Sequence, residues 1–201
     1  MPQFRNHSYA AFLFDMDGTL LDSSAAVDRV WGSWAKRHGI DVPMLLASVH
    51  GVRSEDTIRR FAGADVDIAA ETRWILDAET ADVDGVVALQ GIHAFVAALD
   101  PGTWAIVTSA PRRLAEVRLQ AVNLPIPEVM ITAEDVQRGK PDPQGFLLGA
   151  QRLGVNIGEC LVFEDSPAGV AAAKAAGAHV AIVGGLVPGN EGNFILAHYS
   201  A

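Results

Sequence analysis

Four short runs of this chain are apolar almost throughout: residues 10–15 (AAFLFD), 104–108 (WAIVT), 160–164 (CLVFE) and 179–183 (HVAIV). A strand with one face in water alternates apolar and polar residues, whereas runs like these must be covered on both faces. A fifth run, residues 128–131, is weaker. Helical patterns fill the gaps at residues 91–99, 112–121, 143–153 and 167–176, and Gly154 and Gly177 stand where a glycine ends a helix. Strands alternating with helices predict an α/β fold, a three-layer, Rossmann-like parallel sheet with right-handed crossovers. FILAHYS, near the C-terminus, reads as a final edge strand.

One interval breaks the rhythm. Between about residues 24 and 83 there is no buried strand, and helical stretches occupy residues 25–38, 43–49, 54–61 and 67–81. Val27, Val30, Trp31 and Trp34 fall on one helical face. Ser54 is expected to cap a helix, with Glu55 and Asp56 in its first turn. The simplest organisation is a sheet domain formed by residues 1–20 and 84–201, with an all-helical domain, residues 21–83, inserted after the first strand.

Composition narrows the partners. The 201 residues carry a formal net charge of −9, which disfavours nucleic acid and anionic lipid. No apolar run approaches a membrane helix, and the N-terminus lacks the apolar stretch of a signal peptide. The single cysteine, Cys160, lies in an apolar run and reads as a core residue in a reducing compartment. A cytoplasmic chain is therefore expected.

The chemistry concentrates in FLFDMDGTLLD, residues 12–22. Asp15 and Asp17 stand two apart where a buried strand ends. In an extended backbone that spacing turns both carboxylates the same way, and Gly18 then lets the chain turn. Ligands of parallel α/β sheets gather at the carboxyl ends of strands. Three more sites follow: Thr108 and Ser109 in VTSA, Lys140 in RGKPDP, and Glu164 and Asp165 in VFEDSPAG. Singly, each has an ordinary structural explanation, as helix cap, surface charge or turn. Their order along the chain, mostly at strand ends, argues for a shared site.

These motifs resemble, in order and over most of the chain, those of the haloacid dehalogenase superfamily of phosphohydrolases. The residues suit phosphate chemistry only with help: Asp15, Asp17, Glu164 and Asp165 carry four negative charges and Lys140 returns one. A hard divalent cation must sit among them before a phosphate ester binds, and oxygen-only ligands favour Mg²⁺. The resemblance implies that the Asp15 side chain, the Asp17 main-chain carbonyl and Asp165 bind it, with Glu164 helping directly or through water. It also implies that Asp15 is the nucleophile, forming an aspartyl-phosphate, and that Asp17 protonates the leaving alkoxide and then activates water. Lys140, Ser109 and Thr108 would hold the phosphate oxygens.

The helical insert resembles the small cap domain of one subfamily, which closes over the core site. Specificity is expected from it, most of all from VHGVRSED, where His50, Gly51 and Arg53 lie between helices. Arg53 could pair with phosphate or a polyol; its ordinary reading is a solvated loop arginine. Trp31, Trp34 and Trp74 either pack the cap or wall a sugar face. The segments WAIVTSAP, PEVMITAEDVQRGKPDP and LLGAQRLG resemble bacterial sugar and sugar-alcohol phosphatases. The expected substrate is thus a hexose, hexitol or glycerol phosphate, and a monomer is the default for capped members. The rivals are a phosphosugar mutase, a dehalogenase and a catalytically silent phosphate-binding module. Against the mutase, Val27 stands where such mutases carry a cap-hinge histidine, twelve residues after the nucleophile.

Overall fold

A computed structural model describes residues 1–184 and 194–199. Its elements are, in order, β1 (Gln3–Phe4), β2 (His7–Ser8), β3 (Ala11–Phe14), β4 (Leu21–Asp22), α1 (Ser24–Arg37), α2 (Val42–Val49), α3 (Ser54–Phe61), α4 (Ile68–Ala81), β5 (Val87–Ala88), α5 (Ile92–Ala97), β6 (Trp104–Val107), α6 (Arg112–Ala121), β7 (Val129–Ile131), α7 (Gln144–Leu153), β8 (Cys160–Glu164), α8 (Pro167–Ala176), β9 (His179–Val183) and β10 (Phe194–Leu196).

Six strands form one sheet in the order β10-β9-β8-β3-β6-β7, and every neighbouring pair is parallel. The fold class is α/β, as the apolar runs predict. The unbroken apolar runs bury both sheet faces. Phe12 and Phe14 of β3, Ile106 of β6 and Phe163 of β8 pack with Ile92 of α5 and Leu114 of α6. Leu13, Val107 and Val162 face the opposite way, against Phe146 of α7 and Val170 of α8. Stacked rings of Phe14 and Phe163, centroids 4.6 Å apart, tie the two central strands together. Cys160 is fully buried in the second layer, and burial pushes its thiol up to about 11, so it is a packing residue.

β3 lies where the strand order reverses. The chain passes from β3 to β6 and β7 on one side, then crosses to β8, β9 and β10 on the other. That switch point opens a crevice beyond the carboxyl ends of β3, β6 and β8. The FILAHYS segment supplies β10, an edge strand paired in parallel with β9.

Helices α1 to α4 pack around their own core of Val27, Val30, Trp31, Trp34, Leu45, Val49, Ile58 and Ile75. Trp31 and Trp34 are buried in it, while Trp74 is 37% exposed beneath the Arg37 guanidinium. Ser54 does not cap α3. The Arg53 carbonyl already accepts from the Thr57 N–H, which places the N-cap at Arg53 and makes Ser54 the first helical residue. Glu55 and Asp56 do occupy the first turn. β4 and β5 pair antiparallel, Leu21 opposite Ala88, so the chain enters and leaves the helical segment side by side. Two-residue strands such as these show no usable alternation in the sequence.

Candidate active site

Asp15 follows the last residue of β3, and its N–H donates to the Phe163 carbonyl of β8 at 2.9 Å. That bond extends the ladder one residue past the strand and aims the carboxylate into the crevice. Gly18 then turns the chain at φ +82°, and a Cβ there would lie 2.0 Å from Asp165 Oδ2. Glycine is required on both counts: it adopts the left-handed conformation at little cost and lets the β8 loop come within contact distance of the β3 loop.

Lys140 Nζ donates to Asp15 Oδ1 at 2.5 Å and to Glu164 Oε1 at 2.6 Å, and all three side chains are buried. The other Glu164 oxygen, Oε2, accepts from the Ser166 N–H and hydroxyl at 2.8 and 3.0 Å. Ser166 in turn caps α8 by accepting from the Gly169 N–H. Thus Glu164 holds the lysine and the start of α8 at once. Carboxylate oxygens of Asp15, Glu164 and Asp165 lie within 4.8 Å of one another.

Burial, and then the charges of Glu164 and Asp165, hold the Asp15 carboxyl well above the usual carboxylate range, against the pull of Lys140. Asp165 is pushed up to about 7, by burial first and by Glu164 next. Burial works against the Lys140 ammonium, but Asp15 and Glu164 outweigh it and its titration moves upward. Fully ionised, three carboxylates against one ammonium would leave two negative charges in a buried space. A cation there would relieve the repulsion that raises Asp15 and Asp165. All the donors are hard oxygens, which fits a hard divalent ion. Since both Glu164 oxygens are already engaged, Asp15 and Asp165 are the side chains best free to reach it.

Asp17 lies apart from this cluster. Its Oδ1 accepts from the Ser23 hydroxyl at 2.6 Å and from Arg118 Nη1 at 2.9 Å. Arg118 Nη2 donates to Glu79 Oε1 of α4 at 3.1 Å. Neither Arg118 nor Glu79 stood among the residues picked from the sequence. A faint signal existed: Arg118 falls on the buried stripe of α6 with Leu114 and Ala115, and Glu79 is one turn from buried Ile75. A charge on an apolar face asks for a partner.

The segment between α2 and α3 sits directly on the strand ends. The Ser109 hydroxyl donates to the Gly51 carbonyl at 2.9 Å, and Thr108 Oγ1 accepts from the Ala110 N–H at 3.0 Å. A hydroxyl has one proton to donate, so Ser109 serves either the loop or a bound anion at any moment. His50 is exposed at the rim of the cavity that holds Asp15. Arg53 lies elsewhere. It forks onto Asp56 at 2.8 and 3.2 Å, donates to the Gln137 carbonyl, and lines a smaller cavity that Lys140 and Thr108 share.

Gly51 has φ +73°, and a Cβ on it would lie 2.3 Å from Ser166 Oγ. Gly51→Ala therefore combines about 1–2 kcal/mol of left-handed strain with a clash at the α8 cap. The variant is expected to melt a few degrees lower and to show a raised KM; an unchanged KM would mean that this contact is not made during turnover.

The cavity containing Asp15 is lined by Asp17, Trp31, Gly51, Glu79, Ser109 and Arg118 among others, and offers about 60 Å³. Small-molecule sites usually offer roughly 300–1,000 Å³, so the space immediately around Asp15 is tight. Among the described residues no helix is long and apolar enough to cross a membrane.

Residues 9–177 match the family model described as haloacid dehalogenase-like hydrolase. The chain is 47% identical over 176 residues to hexitol phosphatase A of Escherichia coli (strain K12), covering 86% of this chain and 82% of that protein. It is 33% identical over 204 residues to 2-deoxyglucose-6-phosphate phosphatase 2 of Saccharomyces cerevisiae, covering 89% and 80%. The crystal structure of a hydrolase from Pseudomonas syringae superposes with a TM-score of 0.77 at 26% identity, covering 87% of this chain and 84% of that one.

Proposed function

The chain belongs to the haloacid dehalogenase-like hydrolases, and on that footing we propose that it is a phosphoric monoester hydrolase that cleaves a small sugar or polyol phosphate through an aspartyl-phosphate on Asp15. The observation that carries the reading is the buried contact of Lys140 with Asp15, beside Glu164 and Asp165. Nothing in a packed core favours three buried carboxylates; an anionic ligand bound with a cation does.

Asp15 attacks phosphorus in line with the leaving oxygen. Lys140 faces the oxygens on which charge accumulates, and Glu164 keeps that ammonium in place. Asp17, held by Ser23 and Arg118, delivers a proton to the leaving alkoxide and takes one from the water that opens the acyl-phosphate. Ser109 and Thr108 donate to phosphate oxygens once the Gly51 contact yields. Asp15, the Asp17 carbonyl and Asp165 would hold Mg²⁺, which when bound supplies the positive charge that lets a dianion approach a carboxylate nucleophile.

We take residues 21–83 as a cap. The space of about 60 Å³ beside Asp15 is small for a hexitol phosphate, which supports a cap that moves to admit substrate and closes to exclude bulk water. Relatives named as hexitol and 2-deoxyglucose-6-phosphate phosphatases support a hexose, hexitol or related polyol ester. The mutase alternative gives way. Val27 lines the cavity and has no proton to move. A net charge of −9 disfavours nucleic acid and anionic membrane as partners, a buried lone cysteine supports a cytoplasmic setting, and a monomer is the default for capped members.

The test is a panel of phosphate esters with excess chelator, then with Mg²⁺ restored. Turnover of sugar and polyol phosphates should appear only with the metal. A consistent preference for nucleotides or phosphoglycolate, or full activity in chelator, contradicts the proposal.

A further inference from the structure

Arg118 is a buried cation divided between two partners that the phosphoryl-transfer chemistry treats differently. Its side chain is 4% exposed and that of Glu79 is 5% exposed. One guanidinium nitrogen serves Asp17 and the other serves Glu79, while the Nε–H is buried with no hydrogen-bond partner among the described residues. A buried N–H without an acceptor is costly, and this one belongs to a residue lining the cavity that contains Asp15. Glu79 lines the same cavity from α4. Together they set a buried donor beside an acceptor in the cavity wall, the pattern that one or two alcohol hydroxyls complement.

The charge of the trio also selects. Asp17, Arg118 and Glu79 sum to one negative charge in a largely desolvated space. A neutral leaving group meets no net opposition there. One carrying a carboxylate or second phosphate is repelled, and the effect is large because screening is weak in such a site.

We propose that Glu79 and Arg118 form the subsite for the leaving group, hydrogen-bonding the hydroxyls of a neutral polyol, and that the Glu79 charge turns away anionic leaving groups. This rests on the reading of Asp15 as a phosphatase nucleophile and adds to it which alcohols the enzyme accepts. Glu79 is thereby a specificity-determining residue delivered by the helical insert, and Arg118 joins it to the acid–base residue Asp17.

The experiment compares kcat/KM of the full chain with Mg²⁺ for glucitol 6-phosphate, phosphoglycolate and p-nitrophenyl phosphate. The last has a leaving group with neither alcohol hydroxyl nor carboxylate, so ratios to it isolate the subsite. Glu79→Gln keeps the reach and removes the charge; Glu79→Asp keeps the charge and withdraws it by one methylene. In Glu79→Gln the ratio of phosphoglycolate to glucitol 6-phosphate should rise at least about tenfold. In Glu79→Asp the ratio of glucitol 6-phosphate to p-nitrophenyl phosphate should fall by a similar factor while phosphoglycolate stays rejected. Thermal melts establish that the variants compared are folded.

If both ratios stay within twofold of wild type, or all three esters decline in parallel, the pair merely fastens the insert to the core and the inference is wrong. Wild-type activity on p-nitrophenyl phosphate with unmoved ratios overturns this inference alone. A wild type inactive on every ester overturns the phosphatase reading with it.

Discussion

Asp15→Asn is expected to lower kcat by at least about 10⁴-fold on every phosphate ester, because the amide cannot form the covalent intermediate proposed on Asp15. The fold should survive. Lys140 keeps Glu164 as a partner at 2.6 Å, and one of three mutually repelling carboxylates is removed. The metal-free variant should therefore melt at or above the metal-free wild type, while the rise in melting temperature that Mg²⁺ brings should shrink. Asp17→Asn is the companion variant, since its loss should also stop turnover although Asp17 lies outside the cluster. Residual activity of Asp15→Asn above about a thousandth of wild type would exclude Asp15 as the nucleophile.

The second large effect concerns stability. Lys140→Met removes the only cation that contacts Asp15 and Glu164 among the described residues, and leaves both carboxylates buried without a counter-charge. Breaking a buried pair from one side costs about 3–5 kcal/mol. For a chain of this size that corresponds to a fall of roughly 10 °C in melting temperature, measured in chelator. The sign of the pH dependence follows from the raised Asp15. Its folded-state titration lies above its unfolded value, so proton uptake favours the folded chain as pH falls, and that contribution is lost as pH rises through the folded value. Lys140 draws the Asp15 titration down, so its removal raises it further, and the deficit of Lys140→Met should narrow on going from pH 8 towards pH 5. Turnover should fall roughly 10²- to 10³-fold, as when a single oxyanion donor is removed. A melting temperature within 2 °C of wild type at pH 8 would mean that Lys140 does not compensate these acids.

Both predictions follow from one arrangement. Lys140 lies in the loop after β7, yet its charge is placed by Glu164 from β8, which Ser166 holds against the start of α8. Lys140 is positioned by the same bonds that begin a helix. Substitutions that disturb the α8 cap should reach the chemistry without touching a substrate, and the Gly51 loop, packed on Ser166, is the nearest route.

Local pattern in the chain was enough for much of this. Unbroken apolar runs compel a doubly covered sheet because a strand in such a run has no polar face to offer water, so β3, β6, β8 and β9 were readable within a residue or so at their ends. The aspartates at the end of β3 were readable because strand ends are where parallel sheets expose their loops. The two-residue ribbons, the Arg53 start of α3 and above all the Asp17–Arg118–Glu79 chain were not. Arg118 and Glu79 lie 39 residues apart, on a core helix and an inserted helix that meet only after folding. An arginine in RRLAEVRLQA looks like any solvated charge until a carboxylate from another segment arrives beside it. Periodicity reports whether a side chain is buried, because burial repeats along one element. It is silent on which distant partner shares that burial, since that depends on how the elements pack.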